Sequence, residues 1–71
     1  MYTIYSKPDC PWCIKAEKAL DFMGVEYEKI NIEEDKEARD FLMHSVLKTV
    51  PQIFYDDEYI GGYEDLVDYL T

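Results

Sequence analysis

The sequence predicts an α/β domain of order βαβ-α-ββα, a mixed four-stranded sheet flanked by helices. Three observations predict it. An alternating apolar run over residues 1–6 passes directly into a segment with helical apolar spacing. A second β-like stretch follows that helix, so the first three elements read as a right-handed crossover joining two parallel strands. Farther on, two β-rich stretches are separated by only Asp56-Asp57, a hairpin that must add antiparallel strands to the sheet.

Each element has a local reason. The first strand stops at Ser6-Lys7-Pro8-Asp9, a cluster of turn-forming residues. In the first helix Ile14, Ala16, Ala19, Leu20 and Met23 form the apolar side and Lys15, Glu17, Lys18 and Asp21 the polar side, with Gly24 as terminator. Val25, Tyr27, Ile30 and Ile32 read as the second strand. Glu33-Glu34-Asp35 favours a helix start by its negative charge, and Ala38, Phe41 and Leu42 are that helix's apolar face. Val50 to Tyr55 is the third strand and Tyr59-Ile60 its short partner. After Gly61-Gly62, the residues Leu66, Val67 and Leu70 mark a last helix.

At 71 residues the chain is expected to form one domain, 1–71, burying roughly 60% of its unfolded-chain surface. A 48% hydrophobic composition supports a packed core and argues against disorder. Seven Lys+Arg against 16 Asp+Glu leave a net charge of −9, which disfavours nucleic acid and anionic membranes as partners. The acids are spread along the chain, and solubility of a monomer is the plain explanation for them. No apolar stretch reaches the roughly 18 residues of a membrane span, and the N-terminus has no apolar core of a signal peptide. The expected setting is cytoplasmic, where paired thiols cycle instead of staying bridged.

The chemistry lies in Lys7-Pro8-Asp9-Cys10-Pro11-Trp12-Cys13, which places both cysteines of the chain in one C-x-x-C pair between a strand and a helix. Cys10 at the helix start would meet unpaired backbone N–H groups and the positive end of the dipole, both of which stabilise a thiolate. The thiolate is the form that attacks disulfides. Cys13, one turn later, is close enough to resolve a mixed disulfide on Cys10. The residues alone therefore point to a dithiol redox protein.

Three motifs in order, Cys10-Pro11-Trp12-Cys13, Thr49-Val50-Pro51-Gln52-Ile53-Phe54 and Ile60-Gly61-Gly62-Tyr63-Glu64-Asp65-Leu66, together resemble glutaredoxin over nearly the whole chain. The resemblance implies a thioredoxin-like fold and a glutathione-disulfide oxidoreductase with no permanently bound cofactor and no metal, using glutathione as reductant and disulfide-containing proteins as substrates. It implies Cys10 as nucleophile and Cys13 as resolving cysteine. Lys7 matches the residue that meets the glycyl carboxylate of glutathione, and Trp12 the aromatic within the motif. Thr49 and Val50 match the segment whose backbone pairs with the cysteinyl part, and Pro51 the cis-proline facing the sulfurs. Gly62, Tyr63, Glu64 and Asp65 match the segment that binds the γ-glutamyl end. Two departures stand out: Tyr63 occupies a position where many relatives carry cysteine, and Ser45-Val46-Leu47-Lys48 replaces a glycine and an arginine, with Lys48 as a substitute charge.

Plainer roles are open for the same residues. Lys7 can be surface charge, Trp12 packing, Pro51 an ordinary trans turn residue, and Glu64 and Asp65 compensation of a helix dipole. His44 reads as a partly exposed helix residue. Other functions are a redoxin re-reduced by thioredoxin reductase and donating to ribonucleotide reductase, a glutathione-ligated iron–sulfur carrier, and a zinc module. The last lacks ligands, since His44 is the only other nitrogen or sulfur candidate for a site needing four.

Overall fold

A computed structural model describes residues 1–45 and 49–71 of the chain. The elements are β1 (Tyr2–Ser6), α1 (Pro11–Met23), β2 (Tyr27–Asn31), α2 (Lys36–Met43), β3 (Gln52–Tyr55), β4 (Glu58–Gly61) and α3 (Tyr63–Leu70). This is the expected order. The sheet runs β2-β1-β3-β4, with β1–β2 parallel and the β1–β3 and β3–β4 pairs antiparallel. Alternation along β1 buries Tyr2, Ile4 and Ser6 on one face. Ile4 lies opposite Ile53, and both pack under Ala16 and Leu20 of α1 and Leu66 of α3. Each fully buried Leu or Ile in such a core stabilises by about 1.5–3 kcal/mol relative to exposure. The other sheet face carries Tyr5 and Phe54. There Phe41 of α2 stacks on Tyr5 with ring centroids 5.7 Å apart and lies 6.2 Å from Phe54.

Helix α1 starts where the sequence requires. Asp9, at φ 57°, turns the chain, Cys10 caps the helix in extended conformation, and Pro11 occupies the first helical position, where no N–H is needed. Gly24, at φ 71°, ends it, its N–H donating to the Asp21 carbonyl at 3.0 Å. The buried side of α1 is Cys13, Ala16 and Leu20. Ile14, expected on the apolar side, is 48% exposed, because at 100° per residue it falls well outside the sector that Cys13, Ala16 and Leu20 share. Met23 is exposed to the same degree.

Other boundaries contract. Val25 and Ile32 flank β2 instead of belonging to it. Glu33 and Glu34 lie in the turn before α2, and Asp35 alone is its cap, accepting the Ala38 N–H at 3.0 Å. His44 stands just past the helix as its exposed C-terminal cap. Thr49, Val50 and Pro51 precede β3, whose pairing begins at Gln52 opposite Tyr5. The Asp56-Asp57 turn joins β3 and β4 with Asp56 at φ 52°. Lys48, the candidate substitute charge, lies outside the described residues.

Candidate active site around the Cys10–Cys13 pair

The end of β1 and the start of α1 deliver both cysteines to one rim of the sheet. They are joined as a disulfide with Cα atoms 5.2 Å apart. The Cys13 N–H donates to Cys10 Sγ at 3.2 Å, so a first-turn donor of α1 already points at the sulfur that would carry charge after reduction. No carboxylate occupies the first turn of α1, which leaves the positive end of its dipole unopposed there. Cys13 is 1% exposed and Cys10 6%, so Cys10 is the more open of the two. That order of exposure suits attack by Cys10 and resolution by Cys13.

Across from the pair, the Val50–Pro51 peptide bond is cis, in agreement with the motif. The Val50 carbonyl oxygen lies 4.0 Å from Cys10 Sγ. A cleft of about 290 Å³ opens beside this contact, lined by Trp12, Thr49, Val50, Pro51, Gly62, Tyr63, Glu64 and Asp65. Three segments far apart in sequence thus meet: the turn of α1 with Trp12, the approach to β3, and the start of α3. Gly62 faces the Pro51 carbonyl, to which even an added Cβ would come within 3.7 Å. Thr49 and Val50 lie ahead of the β3 ladder, where the chain bends into the cis-proline.

Lys7 is exposed in the turn after β1 and does not line the cleft. Trp12 is half-exposed and also packs within the protein. Its ring lies 5.7 Å from that of Tyr63, and Lys15 Nζ sits 4.5 Å above its centroid. Packing and cleft-lining therefore coexist at Trp12. The same holds for Asp65, whose Oδ2 accepts the Gly62 N–H at 3.1 Å and so closes the first turn of α3 while lining the cleft. Glu64 and Asp65 also complement the α3 dipole. Among the described residues no cluster of three metal-ligating side chains occurs, and no helix is long and apolar enough to cross a membrane.

Two residues gained importance only with the fold. Gly61, at φ 128°, lies against the Asp65 side chain. Gln52 is 6% exposed and bonded at both ends of its amide. A polar residue within the otherwise apolar Val50–Tyr55 run was the available signal for the second. What the arrangement can do chemically is thiol–disulfide exchange at the Cys10–Cys13 pair, with the cleft meeting it at the Val50 carbonyl; neither cysteine lines the cleft itself.

Comparison with known proteins agrees. The family model described as Glutaredoxin matches residues 2–60. Glutaredoxin 1 of Rickettsia typhi is 47% identical over 68 residues, covering 89% of this chain, which spans only 64% of that relative's length. The solution structure of a glutaredoxin from Brucella melitensis matches with TM-score 0.79 and 33% identity over 97% of this chain and 76% of that one. The glutaredoxin-like NrdH-redoxin from Escherichia coli, described as having a thioredoxin-like activity profile, matches with TM-score 0.85 and 25% identity over 99% of this chain and 93% of that one. With the model spanning most of its residues and the paired cysteines at the head of α1, the chain belongs to the glutaredoxin family.

Proposed function

We propose that the protein is a glutathione-dependent thiol–disulfide oxidoreductase that acts on protein disulfides and glutathione mixed disulfides. The observation that carries the reading is the cleft that adjoins the Val50 carbonyl facing Cys10, with Thr49 and Val50 on one side and the start of α3 on the other. Glutathione is a peptide with a central thiol, so it suits an unpaired backbone edge facing a sulfur. Its γ-glutamyl end suits the first-turn N–H groups and carboxylates of α3. Lys7, outside the cleft, is left to act on the glycyl carboxylate at longer range, an effect that added salt weakens.

The exchange runs in balanced steps. The Cys10 thiolate attacks a substrate disulfide, forming a mixed disulfide and releasing one substrate thiolate. The Cys13 sulfur then attacks Cys10 Sγ, closing the Cys10–Cys13 bridge and expelling the second substrate thiolate. A glutathione thiolate opens the bridge at Cys10, and a second glutathione releases glutathione disulfide and returns both cysteines to the reduced form. The protein works as a cytoplasmic monomer in this reading, with no resident cofactor.

A specific likeness favours a second reading. The match to NrdH-redoxin, described as having a thioredoxin-like activity profile, spans nearly all of both chains and favours a redoxin re-reduced by a thioredoxin-reductase-type flavoenzyme. Donation to ribonucleotide reductase belongs to that second reading. Turnover with glutathione and its reductase is expected for the first reading, and turnover with thioredoxin reductase alone would replace it with the second. Within the first, Cys10→Ser is expected to abolish all activity. Cys13→Ser should retain turnover of a small glutathionylated substrate, because a second glutathione can resolve the intermediate. Equal inactivation by both substitutions on that substrate would refute the assignment of roles.

A further inference from the structure

Gln52 takes no part in the exchange described above, yet it is the buried polar side chain nearest the cleft segment in sequence. A buried amide left unpaired costs about 1–3 kcal/mol, so its partners matter. The Tyr59 hydroxyl donates to Gln52 Oε1 at 2.7 Å, and Gln52 Nε2 donates to Thr49 Oγ1 at 3.1 Å. The chain of bonds thus begins on the edge strand β4, crosses β3 and ends on a residue lining the cleft.

The backbone explains why a tether is needed at this point. Pairing between β1 and β3 ends at Gln52, so Thr49 and Val50 lie beyond the ladder that fixes the rest of β3. The β3–β4 register also slips by one residue between Ile53 and Phe54, leaving Tyr59 opposite Phe54 with ring centroids 5.2 Å apart. From there the hydroxyl reaches Gln52. Removal of this phenol from water, and next the Asp65 charge, push its pKa up, so it stays a donor through neutral pH.

We propose that Gln52 is a positioning residue: by joining Thr49 to Tyr59 it holds the Thr49–Val50 segment at the spacing from Cys10 at which a peptide disulfide pairs with it. The proposal rests on the exchange reading above. Neither Gln52 nor Tyr59 lines the cleft, so an effect on substrate has to travel through Thr49.

Tyr59→Phe keeps the half-exposed ring and removes only the hydroxyl. It is expected to raise KM for a glutathionylated peptide about fivefold, the equivalent of one hydrogen bond, with kcat changed by less than about twofold. Thr49→Val should do the same, and Thr49→Ser, which retains the acceptor oxygen, should raise KM less. Combining Tyr59→Phe with Thr49→Val should cost little more than either alone, since both cut one chain. Multiplying effects, or an unchanged KM in Tyr59→Phe, would overturn the proposal. If the wild-type protein does not turn over the glutathionylated peptide, the exchange reading has failed. The tether is then judged by NMR of the oxidised protein, where Tyr59→Phe should move the Thr49 and Val50 amide resonances and unmoved resonances would overturn it.

Discussion

Replacing Gly61 by alanine is expected to destabilise the protein and distort the cleft together, because Gly61 joins the two. Its φ of 128° lies in a region that side-chain-bearing residues rarely enter, which costs an alanine about 1–3 kcal/mol. An added Cβ would also stand 2.7 Å from both Cβ and Cγ of Asp65. Cβ cannot swing away as the end of a flexible chain can, so α3 itself has to shift. Moving Asp65 breaks its bond from the Gly62 N–H, a helix-start contact worth about 1 kcal/mol. The total is about 3 kcal/mol, and at about 4–8 °C per kcal/mol for a domain of this size the melting temperature should fall by about 12–24 °C. Thermal unfolding followed by circular dichroism measures this directly. Asp65→Ala alone should lower stability by only about 1 kcal/mol. Adding it to Gly61→Ala should cost less than the sum, because the double variant loses the Gly62 bond only once and keeps only the Cβ–Cβ part of the clash, without the carboxylate. Full additivity, or a melting temperature within a few degrees of wild type for Gly61→Ala, would refute the reasoning.

Two further expectations follow from the core and the tyrosines. Leu66→Ala, at a fully buried position between α3 and the sheet, should cost about 2–5 kcal/mol, read as a lower denaturant midpoint with m unchanged. The phenols of Tyr5, Tyr27, Tyr59 and Tyr69 are each raised above 10.0, first by removal from water and then by neighbouring carboxylates or, at Tyr27, by a hydrogen bond to Asp21. Folding thus favours the protonated form. Their contribution is fully present below pH 10 and is lost as pH rises through the folded values, so stability should fall above about pH 10 with little tyrosine-linked change below it. Alkaline titration of phenolate absorbance beside denaturation midpoints tests this, and stability rising above pH 10 would contradict it.

The element order was legible because its punctuation is local. Pro8-Asp9 breaks β1, Gly24 can end a helix, and Asp56-Asp57 can close a hairpin. The dithiol and its place at a helix start followed from the same signals. Ile14 misled because an apolar residue marks a buried face only when its phase matches its neighbours, and the phase is set by whichever residues the sheet accepts, here Cys13, Ala16 and Leu20. Among three consecutive acids before α2, only the hydrogen bond to Ala38 distinguishes Asp35 as the cap.

The sequence by itself determined which chemistry the protein carries: two thiols one helical turn apart, reached from a strand, with turn residues that fix the local backbone on either side. That is short-range information, carried by residues within a few positions of one another. The cleft was decided by tertiary structure alone, since Trp12, Thr49 and Tyr63 come together only through the crossover and the hairpin. So were the exclusion of Lys7 from its lining, the dual engagement of Asp65, and the bonds of Gln52 to Thr49 and Tyr59. Each depends on distances between segments, and those are set by the packing of α1 and α3 on one sheet face and the register of β3 against β4, neither of which any local stretch encodes.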